Sequence, residues 1–114
     1  MTWSLDNVED RAQLYDDFEI PPRPVREALV FGDSAKLVFV PEYHSAGASG
    51  ERMWVTVTKV TEGRYEGELA NDPVVVTDLQ RGALVTFGPE HVCSIEESDT
   101  LASVFAREER GGEN

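Results

Sequence analysis

The stretch Arg52-Met53-Trp54-Val55-Thr56-Val57-Thr58-Lys59-Val60 limits what this chain can fold into more than any other. It is dense in β-branched and aromatic residues, which suit a pleated surface. Side chains alternate along a strand, so Met53, Val55 and Val57 fall on one face and Trp54, Thr56 and Thr58 on the other. Glu62-Gly63 follows, and Arg64 to Leu69 alternates again. Tyr65, Gly67 and Leu69 share one face of that run; Arg64, Glu66 and Glu68 share the other. Two alternating runs joined by a glycine-bearing turn read as an antiparallel hairpin. Residues 52–60 are expected as the central strand and 64–69 as its neighbour. Gly67 marks a bend or a close backbone approach, as a curled sheet requires.

The flanking sequence predicts shorter elements. Residues 4–18 read as an amphipathic helix: Ser4 can cap it, Asp6 suits its first turn, and Leu5, Val8, Ala12 and Tyr15 form one stripe. Pro21, Pro22 and Pro24 impose an extended connector, and Pro24 can open a short helix reaching Leu29. Ala35–Val40, Val74–Thr77, Leu84–Phe87 and His91–Ile95 predict further short strands. Residues 42–51 read as a flexible loop whose only large side chains are Tyr43 and His44. Leu101, Val104 and Phe105 mark a C-terminal helix over about 99–109, stopped by Gly111-Gly112. The expected fold is α+β: a small, strongly bent antiparallel sheet or partly open barrel of five to six strands, flanked by an N-terminal and a C-terminal helix. Residues 1–110 are expected as a single domain, helical over 4–18 with a β core over about 35–95, and 111–114 as a disordered tail.

The charge bears on partners. The 114 residues carry a net charge of −12. Residues 1–20 hold six acids and one base (−5), residues 96–114 six acids and two bases (−4), and residues 21–95 ten acids and seven bases (−3). Such a field repels phosphate backbones and anionic lipid, so nucleic acid and membrane are excluded as partners, while a basic protein is allowed. No apolar run approaches the roughly 18 residues that span a bilayer. The start lacks the basic and apolar regions of a signal peptide. The single cysteine, Cys93, forms no disulfide within the chain and fits a reducing, cytoplasmic setting.

No catalytic spacing is present: there is no HExxH, CxxC, GxSxG or Walker loop. Asp72, Glu90 and His91 are weak candidates for an acid–base set. Their competing reading is structural, an Asx turn for Asp72 and a satisfied histidine for His91. Trp54 is the strongest binding candidate, because tryptophan often anchors interfaces. Arg52, Asn71, Asp72 and His91 complete the candidate binding set. Against it stands burial of Trp54 under the N-terminal helix, which is the expected arrangement. His44 and His91 lie far apart in sequence, and neither a metal site nor a cofactor is expected.

Several short motifs occur in a set order: Phe18-Glu19-Ile20-Pro21, Gly32-Asp33 with Lys36-Leu37, Gly50-Glu51-Arg52-Met53-Trp54-Val55, Asn71-Asp72-Pro73-Val74, and Leu79 with Gly82 before Val85-Thr86-Phe87. Over residues 18–93 this pattern resembles the YegJ-like proteins, a bacterial family catalogued as a domain of unknown function. The family's last strand often ends in Asp-Trp, where this chain has Ser94-Ile95. The resemblance implies a small bacterial protein and carries over no catalytic residues. The leading functional expectation is a non-enzymatic interaction module, in a narrower form an immunity-like protein that neutralises a basic toxin. The alternative is a small-ligand binder or hydrolase-like enzyme using Asp72, Glu90 and His91 with Trp54 as a platform.

Overall fold

The structure, a computed structural model, describes residues 3–15, 18–42 and 50–111. Its body is a curled antiparallel sheet of six strands: β1 (Trp3–Leu5), β2 (Ser34–Pro41), β3 (Glu51–Thr61), β4 (Arg64–Leu69), β5 (Leu84–Phe87) and β6 (Ser94–Glu96). The order is β1-β2-β3-β4-β5, so the alternating run does lie in the middle. One edge of β2 is shared, with β1 pairing to its residues 39–41 and β6 to its residues 34–36. Helices α1 (Val8–Leu14), α2 (Arg23–Arg26) and α3 (Leu101–Gly111) complete the α+β fold, with a 3-10 turn at Pro89–His91.

The β3–β4 hairpin closes as its sequence predicts. Thr61 pairs with Arg64 across Glu62 (φ 50°) and Gly63 (φ 78°), both in the left-handed region that a tight hairpin turn of this hand needs. Further along, the register shifts between Val57 and Lys59. Gly67 faces that irregularity. A Cβ there would lie 2.6 Å from Val55 Cγ1 and closer still to the Thr56 carbonyl oxygen. The sheet can curl because this position has no side chain. Gly67→Ala is therefore expected to cost about 1–3 kcal/mol through overpacking. Urea midpoints of both proteins measure it, and an unchanged midpoint would mean that the strands do not approach so closely.

Inside the curl, Leu37, Phe39, Met53, Val55, Val57, Tyr65, Leu69, Val85 and Phe87 form one buried cluster with Leu29, Val76 and Val92. Tyr65 stacks on Phe87 at 5.2 Å, and its hydroxyl donates to the Arg26 carbonyl at 2.8 Å. On the other face of β2, Val38 packs with Val8 and Cys93, flanked by Phe18, Ile20 and Val40. β2 is thus covered on both sides.

The N-terminal helix is much shorter than expected over 4–18. Residues 3–5 pair with β2 instead, and Trp3 and Leu5 pack against the main core. Asn7, rather than Ser4, caps α1, accepting from the Glu9 and Asp10 amides at 3.0 and 3.1 Å. The helical spacing of Leu5 with Val8 was thus a coincidence of two elements. The short second helix spans Arg23–Arg26, not Pro24–Leu29. Val74–Thr77 is not a strand. The amides of Val74, Val75 and Val76 all donate to the Glu51 carboxylate, at 2.7, 2.8 and 3.0 Å, which satisfies them without a ladder. The last strand starts at Ser94, because Pro89–His91 coils first. Tyr43, His44 and residues 112–114 of the expected tail lie outside the described residues.

Candidate functional site

Trp54 sits on the outer face of β3, between Met53 and Val55 of the core. It belongs to neither buried cluster and is half-buried. The expected burial under the N-terminal helix is not found: α1 sends Val8 onto Val38 and Cys93 instead. The Trp54 ring lies beneath the Lys36 ammonium, 4.9 Å from its centroid, since the two residues face each other across the β2–β3 ladder. Asn71 Oδ1 accepts the Trp54 amide at 2.6 Å, and the Ala70 amide donates to the Trp54 carbonyl at 2.9 Å. Asn71 thereby extends the ladder past the end of β4. Arg52, two residues back, places its guanidinium 5.4 Å from the Phe18 ring, which Arg11 also approaches at 5.6 Å. Arg52 and Trp54 share this outer face, with Asn71 bonded to the Trp54 backbone and the Arg52 guanidinium turned to Phe18.

Asp72, Glu90 and His91 do not assemble. Asp72 pairs with Arg81 at 3.2 Å in an exposed contact beyond the C-terminal end of β4. Glu90 pairs with Arg64 at 2.8 Å, at that strand's start. Burial would raise the Glu90 carboxyl, but Arg64, a backbone amide and the neighbouring His91 together hold the group below its ordinary range. His91 Nδ1 accepts the Gly88 amide at 3.0 Å, leaving the proton of the neutral ring on Nε2. Nε2 lies 3.7 Å from Glu90. Burial pushes His91 below the usual imidazole value, against the pull of Glu90. The ring acts as a cap for the 3-10 turn. Among the described residues, no three His, Cys, Asp or Glu side chains gather as a metal site. Every buried side-chain nitrogen or oxygen there has a hydrogen-bond partner.

No family model, no curated protein and no solved structure matches the chain. No helix among the described residues is long and apolar enough to cross a membrane.

Three ionic groups that matter to this fold are not among the candidate site residues read from the sequence. Glu51 caps the 74–76 segment, as described above. Arg26 is 4% exposed; its Nε donates to the Pro21 carbonyl at 2.8 Å and its Nη1 to Glu9 at 2.9 Å and the Pro89 carbonyl at 2.8 Å. Asp33 is fully buried. It accepts from the Val30 and Ser98 amides at 2.9 and 2.8 Å, and from Arg107 at 2.7 and 3.2 Å. Burial works to raise the Asp33 carboxyl, yet these donors together hold it below its ordinary value.

The Asp33–Arg107 pair sets how α3 sits. Ser103 and Arg107, four apart, lie on one helical face. Ser103 is buried and its hydroxyl donates to the Phe31 carbonyl, while Arg107 reaches Asp33. The helix therefore docks through its polar side. Leu101, Val104 and Phe105, spaced as an apolar stripe, point outward at 71%, 38% and 57% exposure. A cleft of about 420 Å³ runs along the Val104 side of this stripe, lined by Glu97, Ser98, Asp99, Val104, Arg107 and Glu108. The stripe is visible in the sequence. That it faces solvent is not, because only the partners of Ser103 and Arg107 decide which side is inward.

Proposed function

We propose that this chain is a non-enzymatic protein-interaction module that binds a basic partner, with an immunity-like role as its narrower form. The observation that carries the reading is the state of the candidate catalytic groups. Asp72, Glu90 and His91 are each held in a contact that serves the fold, and two of them lie at opposite ends of β4. The net charge of −12 adds long-range attraction for a basic surface. Kinship with the YegJ-like proteins is part of this proposal and rests on the ordered motifs between residues 18 and 93.

The reading is tested by affinity capture from a bacterial extract, followed by stopped-flow association of the purified pair. A specific partner of high isoelectric point is expected. Its association rate should fall at least about tenfold between low and physiological salt, because exposed charges are screened beyond about 8–10 Å. An acidic partner, or a rate indifferent to salt, would sink the proposal.

A further inference from the structure

We infer that the outward face of α3 is the docking surface, and that its occupant is a cationic amphipathic helix of the partner. This rests on the proposed basic partner and names where and how it would be held.

A surface helix of a globular protein normally turns its apolar stripe to the core. α3 does the opposite. Its inward contacts are a hydroxyl and a guanidinium, and the stripe of Leu101, Val104 and Phe105 is left to water. Contiguous exposed apolar side chains with a polar rim mark interaction surfaces. The side chains at i, i+3 and i+4 are the spacing with which one helix packs on another.

Charge selects the occupant. Glu97, Asp99 and Glu108 line the cleft beside Val104, against a single guanidinium, Arg107. Arg107 is already neutralised by buried Asp33 at 2.7 Å, and its Nε also lies 3.4 Å from Glu97. The rim thus presents carboxylates without a free cation among the described lining residues. A second copy of this chain would bring like charge to like charge. A helix with lysines or arginines flanking leucine-type anchors satisfies both the stripe and the rim: apolar anchors on Val104 and Phe105, cations over Glu97, Asp99 and Glu108.

The experiment uses the full chain and a synthetic peptide of about 18 residues with leucines at i, i+3, i+4 and i+7 and lysines elsewhere. Controls are a same-composition peptide in permuted order and one with glutamate for lysine. Amide chemical-shift perturbation reports the surface, and titration calorimetry the affinity. The leucine–lysine peptide is expected to perturb residues 97–109 and to bind at least about tenfold more tightly than either control. Val104→Ser with Phe105→Ser should weaken it at least about tenfold while leaving the melting temperature in place, since both side chains are exposed. Glu97→Gln with Glu108→Gln should slow association, whereas Trp54→Ala should leave affinity unchanged. Binding that maps to the Trp54 face, or that survives the Val104/Phe105 change, overturns the assignment of α3 and leaves the basic-partner reading standing. Absence of binding at about 100 μM by any lysine peptide overturns this inference; capture of a basic partner in the salt-dependent assay would show that the broader reading survives it. A dimer that Phe105→Ser dissolves would also overturn it, in favour of self-association.

Discussion

Asp33→Ala is expected to lower the unfolding free energy by about 3–5 kcal/mol, the usual cost of removing one partner from a buried ion pair. Against a typical total of about 5–15 kcal/mol, that is a large share. The change strips acceptors from Arg107 and from the Val30 and Ser98 amides at once. It should also release α3, which Asp33 anchors through Arg107. Denaturant midpoints give the loss, and hydrogen exchange over 101–109 shows whether the helix detaches. Arg107→Ala should cost a comparable amount, because it leaves a fully buried carboxylate without its counter-charge. If Asp33→Ala cost under 1 kcal/mol, the pair would be no anchor.

The same group gives the protein an acid limit. Asp33 has a lowered folded pKa relative to the ordinary 3.8, and Glu9, held down by Arg26 and then Arg23, a lowered value relative to 4.5. A carboxyl of that kind contributes stability that is complete above its unfolded pKa and is lost as pH falls through the folded one. His91 acts in a higher window. Its folded pKa is lowered from 6.5, so the unfolded chain binds the proton first and stability declines as pH falls below 6.5. Midpoints measured from pH 7 to pH 3 should fall in two stages. His91→Gln is expected to flatten the first and Asp33→Asn the second.

Arg26→Ala is the second large effect, expected at about 3 kcal/mol. Arg26 is 4% exposed and joins three pieces of chain: the Pro21 carbonyl of the connector, Glu9 of α1 and the Pro89 carbonyl of the 3-10 turn. Its removal takes the guanidinium from the Pro21 carbonyl, leaves the Pro89 carbonyl with only the Val92 amide, and leaves Glu9 to Arg23 alone. Arg26→Lys should recover little, because an ammonium cannot serve the three acceptors from one planar fork. Glu9→Gln should cost less, since that carboxylate is 26% exposed and water can replace its partner. Urea midpoints of the three variants, ranked in that order, check the argument. A fully rescued Arg26→Lys would mean that the charge alone matters.

The hairpin was legible because its information is local. Alternation in 52–60 and 64–69, a glycine turn and Gly67 together specify pairing, register and curl within a short span of chain. The α+β class and the α3 stripe were legible for the same reason, since a period of two or of 3.6 residues is written in neighbouring side chains. The N-terminus misled where two elements happened to share a helical spacing: Leu5 belongs to a strand, Val8 to a helix. Val74–Thr77 misled because β-branched residues favour extended backbone whether or not a strand lies alongside, and here a distant carboxylate took the amides. Trp54 was placed on the correct face, but what lies over that face depends on where α1 ends.

By itself, then, the sequence determined the periodic elements, the hairpin and the acidity of the two ends, all of which follow from near neighbours and from composition. Only the tertiary structure decided which charges are buried, that Asp72 and Glu90 stand apart, and that α3 turns its polar side inward. Each of those depends on partners far along the chain, 74 residues in the case of Asp33 and Arg107, and no local pattern encodes such a meeting.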